Sequence, residues 1–136
     1  MATEFHAYIK ADKLPDLDVL ARALCSRGRK FNIDGDQALD QRSGDLGLSV
    51  DGTAQTISVS SVTAGSSGWK TLASSAADRP DGEAMLQVLK NTNLRLTFSA
   101  DGDAKKWARD VCRGAALLAV GAYENTDTGK LIFYGG

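Results

Sequence analysis

The sequence predicts an α+β fold. It reads as a ferredoxin-like βαββαβ sandwich with an additional C-terminal α-β extension, its helices packed on one face of a mainly antiparallel sheet. Three observations carry this expectation. Four Asp-Gly dipeptides, at 34–35, 51–52, 81–82 and 101–102, cut the 136 residues into short segments. Asp-Gly supplies the positive φ and local side-chain bonding that turns and element junctions need. Some segments then alternate apolar and polar residues, and others repeat apolar residues every three or four positions.

Phe5, Ala7 and Ile9 alternate with His6, Tyr8 and Lys10, which predicts a first strand with one buried face. Pro15 suits a first helical turn, and Leu17, Leu20, Ala21 and Leu24 continue as an amphipathic helix that Gly28 ends. Residues 31–45 are Asp-rich and weakly periodic, so a loop or irregular short strand is expected. Leu46, Leu48 and Val50, then Ile57 and Val59, flank Asp51-Gly52 as a hairpin. The stretch from Thr63 to Asp78 is rich in Ser, Gly and Ala and reads as a flexible surface loop holding Trp69 and Leu72.

Pro80 and Asp81 open a second helix through Met85, Val88 and Leu89, and Leu94, Leu96 and Phe98 form the next strand. A third helix starts near Asp103, a candidate N-cap, with a stripe of Trp107, Val111, Ala115 and Leu118. Its apolar later turns should be buried. Thr126 to Gly129 then turns the chain into a closing strand, Leu131 to Tyr134. No linker demands a division, so residues 1–136 are expected to form one domain burying about two-thirds of its unfolded surface.

Composition narrows the function classes. Net charge is −1, which gives no global attraction to nucleic acid or an anionic membrane. The fourteen Asp outnumber three Glu, an excess that suits turns and helix starts better than helix interiors. The longest apolar run, Gly114 to Ala122, falls short of the roughly 20 residues of a membrane span. No signal-peptide pattern is read at the N-terminus. Cys25 and Cys112 match no metal or redox spacing, and reduced thiols in a cytoplasmic protein are expected.

Motifs for chemistry are weak. His6 is the only histidine, and on a first strand it should be exposed or at an edge. No Gly-x-Ser-x-Gly elbow supplies a serine nucleophile. Gly65 to Thr71 ends in Lys-Thr after a strand, but Trp69 stands where a phosphate loop needs Gly. Asn32, Asp34 and Asp36 mimic the start of a calcium loop, yet Gln37 and Ser43 replace its Gly and Glu. A solvated acidic loop through Asp34, Asp36, Asp40 and Asp45 is the expectation, with no metal and no cofactor.

Lys105, Arg109 and Arg113 recur every four residues as a basic stripe on the third helix, which reads first as a solvated helix face and also fits contact with an acidic protein surface. Lys106 and Asp110 are spaced as an i, i+4 pair. Trp69, beside Lys70, either plugs the core edge or stands out as a binding anchor. Trp69, Lys70, Asp34, Asp36, Asp40, Lys105, Arg109 and Arg113 are therefore the candidate partner-contacting residues.

The functional expectation is a non-enzymatic protein-binding module of inhibitor or immunity type. Immunity proteins that neutralise bacterial toxins share its size and make-up, and the partner would be such a toxin or an enzyme. The alternatives are a small enzyme using Asp and Lys in a cleft, and a ligand-sensing oligomeric domain. The nearly continuous apolar closing strand is either buried on both faces or available to a second copy as a homodimer edge.

Overall fold

Paired strands on both sides bury the first strand of this protein deep in a seven-stranded sheet. The computed structural model describes residues 3–13, 19–20, 22, 31–33, 44–50, 52–126 and 128–134. Among them the strands are β1 (Thr3–Ile9), β2 (Phe31–Ile33), β3 (Gly44–Val50), β4 (Thr53–Thr63), β5 (Leu94–Ala100), β6 (Ala122–Asn125) and β7 (Lys130–Phe133). The helices are α1 (Ser67–Ala76), α2 (Gly82–Asn91) and α3 (Lys105–Leu118). The sheet is open, every pairing is antiparallel, and the order is β2-β3-β4-β5-β1-β6-β7.

The α+β class and the antiparallel sheet stand as expected. The finer arrangement differs. A split βαβ sandwich carries parallel crossovers, whereas here β5 lies between β1 and β4, and β1 and β3 run in opposite directions. The helices also cover both faces of the sheet rather than one. Phe5, Ala7, Ile9, Leu94, Leu96 and Phe98 pack with Trp107, Val111 and Cys112 of α3. Alternation sends Tyr8 to the opposite face, where it joins Trp69, Met85, Val88, Leu89 and Ala122 under α1 and α2. Most of the helix expected from Pro15 to Gly28 lies outside the described residues; Val19, Leu20 and Arg22 are helical, and Leu20 is fully buried on the α3 face.

The Asp-Gly pairs play different roles. Val50 pairs with Thr53 where β3 gives way to β4, and Gly52 between them has φ +85°. Gly82 is needed for contact instead: a Cβ there would overlap the carbonyl oxygen of Ala76, where α2 begins against the end of α1. The stretch read as a Gly/Ser loop is α1. Ser66 caps it by accepting from the Trp69 amide at 3.3 Å, and Trp69, Leu72, Ala73 and Ala76 form its buried stripe. Tertiary burial overrides the poor helix propensity of Gly68 and its serines.

α3 is preceded by a 3-10 turn, Gly102–Ala104, which places its N-cap at Ala104 rather than Asp103. Its last turns are buried only on the alanine side: Ala115, Ala116 and Ala119 are enclosed, while Leu117 is 57% and Leu118 37% exposed. β7 forms one edge of the sheet, with Leu131 and Ile132 half-buried and Phe133 exposed. Cys112 is a free, fully buried thiol, and Cys25 lies outside the described residues.

Tyr123 of β6 stacks on Phe5, with centroids 6.5 Å apart, and its buried hydroxyl has no hydrogen-bond partner. Burial pushes that phenol up to about 12. Tyr123→Phe keeps the ring and removes the unpaired oxygen, so it should be neutral or stabilising by up to about 1 kcal/mol. Urea denaturation of both proteins checks this; a loss of stability would mean that the hydroxyl is satisfied in solution.

Candidate functional site

Two constellations of polar side chains arise from the sheet. The first is internal. Across β5, β1 and β6, one row of the register sets Thr97, His6 and Glu124 side by side, and the next row sets Arg95, Tyr8 and Ala122. All six share the face under α1 and α2, because residues two apart on a strand point the same way. His6 is 7% exposed, Thr97 8% and Glu124 5%. The expected edge histidine is thus a core histidine, since β1 is flanked by strands on both sides.

These groups are bonded to one another. His6 Nδ1 and Thr97 Oγ1 are 3.0 Å apart, and His6 Nε2 lies 3.9 Å from the exposed carboxylate of Glu4. Tyr8 donates its hydroxyl to Glu124 Oε1 at 3.2 Å. Arg79, in the connection between α1 and α2, donates to Glu124 Oε2 and holds Asp81 with two bonds of 2.8 and 3.0 Å. Both carboxylate oxygens of Glu124 are therefore engaged, and the helical pair is tied to the centre of the sheet.

The electrostatics follow from burial. Desolvation first, then the charge of Arg95, depresses the His6 imidazole to about 4, against the opposing pull of Glu124 and Glu4. Burial and the charge of Glu124 raise the Tyr8 phenol above its ordinary value. Bonds to Asp81 and Glu124 hold the Arg79 guanidinium more firmly charged, and Arg79 in turn lowers Asp81. The Nε of Arg95 is buried without a partner. A neutral imidazole, a fixed carboxylate and a phenol could support proton transfer, but a general base must also reach its substrate.

The second constellation opens to the surface on the α3 face. The start of α3 contributes Lys105, Lys106 and Arg109 to a cleft of about 320 Å³. Phe5 forms its apolar floor, and Gly102, Asn125 and Thr128 complete the wall. Gly102 adopts φ +60°, a conformation that favours glycine, and the space where its Cβ would stand is open. Lys106 Nζ lies 4.7 Å from the Trp107 ring centroid. Arg109 Nε is 3.6 Å from Asp110, so Arg109 takes the neighbour that spacing had assigned to Lys106.

The predicted site residues are only partly gathered. Lys105 and Arg109 share the cleft, whereas Arg113, a turn further along α3, bonds to Tyr134, which raises its pKa. Trp69 is 9% exposed and belongs to the core under α1 and α2, so the core-plug arm of its reading is the one realised and it offers no exposed anchor. Lys70 is exposed on α1, across the sheet from the cleft. Asp34, Asp36 and Asp40 lie outside the described residues, as does the Asp45 side chain.

Sequence reasoning missed Glu124, Arg79, Thr97, Arg95 and Lys106. Glu124 was retrievable: Tyr123-Glu124-Asn125 and Lys130 to Phe133 flank a Gly-containing turn, which is a hairpin signal. No three His, Cys, Asp or Glu side chains among the described residues are grouped as a metal site needs. No helix among them is long and apolar enough to cross a membrane. The fold and these two sites define an α+β protein with an open antiparallel sheet. Comparison with family models, curated proteins and solved structures returns no match.

Proposed function

We propose that this chain is a protein-binding module without chemistry of its own, an inhibitor or immunity-type protein that docks α3 on an acidic surface of its partner. The clustering of Lys105, Lys106 and Arg109 at one end of that helix carries the reading. A rigid helix fixes the spacing of its charges, and such complementarity raises association rates and rejects wrong partners. Meanwhile His6, Tyr8 and Glu124 are occupied by protein groups inside the fold. In this reading the protein works in the cytoplasm with its thiols reduced.

The test is affinity purification of the tagged chain from its native cells, followed by titration of the recovered partner. A Lys105→Glu, Arg109→Glu double variant should bind it at least about tenfold more weakly, and wild-type affinity should fall with added salt. Unchanged affinity in the variant would refute α3 as the docking element. One observation favours a second reading, a small enzyme: His6, Tyr8 and Glu124 gather on one sheet face with two arginines. That reading requires Glu124→Gln to abolish turnover of some substrate while the fold persists.

A further inference from the structure

We infer that the outer edge of β7 pairs with β7 of a second copy of this chain, antiparallel about a two-fold axis at Ile132, joining two sheets into one. The inference goes beyond the partner reading and concerns the isolated chain. β7 ends the strand order, and among the described residues no strand pairs with its outer side. Its inner side is fixed by the β6 register and by the bond from the Tyr134 amide to the Gly121 carbonyl. Bonded residues alternate along an antiparallel ladder, so Ile132 also turns its backbone groups to β6. Leu131 and Phe133 turn theirs outward. Apart from its brevity, this edge is blunted only by Lys130 at its start, with no proline or inward charge along Leu131, Ile132 and Phe133.

The edge is complementary to itself. Setting Ile132 against Ile132 of the second copy puts Leu131 opposite its Phe133, and Phe133 opposite its Leu131. The groups turned outward on one copy then meet those turned outward on the other, and each such pair exchanges both backbone bonds. A one-residue shift would set outward groups against inward ones and lose those bonds. The side chains agree with this register. Leu131 packs with the core under α1 and α2, and alternation puts Phe133 on the same face. Within one copy Phe133 faces Ala122, which is too small to cover it, and it stays 50% exposed. In the pair, Leu131 of the second copy covers it. Lys130 falls opposite Tyr134 rather than another lysine, and a net charge of −1 adds little repulsion between copies. An edge of four residues makes a weak dimer, since lasting interfaces bury more than roughly 1,000 Å².

Analytical ultracentrifugation of the full chain, from about 10 µM to about 1 mM, should show a monomer–dimer equilibrium with Kd of about 100 µM. Phe133→Lys leaves the bonds to β6 in place and should weaken the dimer at least about tenfold. Introduced cysteines test the register, in a Cys25→Ser background. Ile132→Cys stands opposite its own copy, where Cα atoms of a non-bonded antiparallel pair lie about 4.5 Å apart, within disulfide reach. Leu131→Cys stands two residues along the strand from its copy, beyond the limit of about 7 Å. Mild oxidation should therefore cross-link Ile132→Cys at least about tenfold faster than Leu131→Cys. A chain that stays monomeric at about 1 mM would overturn the inference and leave the edge to a strand of another protein. Dimers that Phe133→Lys does not weaken, or equal cross-linking at the two positions, would overturn it as well. The measurement needs no other protein, so its outcome is independent of whether α3 docks on a partner.

Discussion

Replacing Gly121 with alanine is expected to lower the melting temperature by roughly 10 °C, about 3 kcal/mol in a domain of this size. A Cβ at that position would overlap the carbonyl oxygen of Tyr8 and stand 2.9 Å from Cγ2 of Ile9. Neither can retreat, because β1 is held by β5 and β6 and Ile9 is fully buried. Gly121 also donates its amide to Ala116 at 2.8 Å and accepts from the Tyr134 amide at 2.9 Å. The residue is thus where the end of α3, the end of β1 and the end of β7 meet. Thermal unfolding followed by circular dichroism checks it; a fall of only a degree or two would show that β1 and α3 can part there.

Its neighbour sharpens the test. α3 ends in a Schellman motif, with Val120 donating to Leu117 and Gly121 to Ala116. The left-handed position of that motif, which favours glycine, is held by Val120 at φ +55° with its side chain 54% exposed. A β-branched residue is strained there, so Val120→Gly should stabilise by about 1 kcal/mol. Glycine therefore sits one position later than capping alone would place it, because the contact with β1 outweighs the strain at Val120. Opposite signs at adjacent positions separate packing from backbone preference.

That junction also shows where the sequence is legible. Strands with strong alternation, such as Phe5-Ala7-Ile9 and Leu94-Leu96-Phe98, announce one buried face each, and both lie in the core against α3. What alternation hides is the other face. His6 and Tyr8 read as a solvent side, yet α1 and α2 cover that side of the sheet, and polar residues there bond to each other instead of to water. α1 was concealed by serines and glycine of low helix propensity, although its 69, 72, 73, 76 spacing is helical. β6 was concealed by its brevity, four residues directly after a helix.

The sites divide along the same physical line. Lys105 and Arg109 are four apart on one helix, so their proximity follows from helical geometry alone. Their floor and wall come from Phe5 and Asn125, which sequence separates by most of the chain and only strand pairing unites. The internal network is joined by non-local bonds: they span 91 residues from His6 to Thr97, 116 from Tyr8 to Glu124 and 45 from Arg79 to Glu124. Local periodicity can place such residues on a face but cannot name their partners.

The second large effect is a loss of stability in mild acid that depends on His6. The folded imidazole is lowered from 6.5 to about 4, chiefly by burial and by Arg95. Arg95 and Thr97 face it from β5, Glu124 from β6, Glu4 from its own strand and Arg79 from the connection before α2. A depressed histidine binds fewer protons folded than unfolded, so stability rises with pH across that interval. The contribution is fully present above pH 6.5 and is lost progressively as pH falls towards 4, where it levels off. A shift of this size corresponds to about 3 kcal/mol. Urea denaturation of wild type and His6→Gln through this window isolates the term, because carboxylates common to both proteins cancel in the difference. The glutamine amide retains a bonding group for Thr97, so the wild type should lose about 3 kcal/mol more than the variant. Parallel slopes in the two proteins, or an imidazole proton resonance titrating near its ordinary value, would show that His6 is open to water and that the row linking β5, β1 and β6 is not closed.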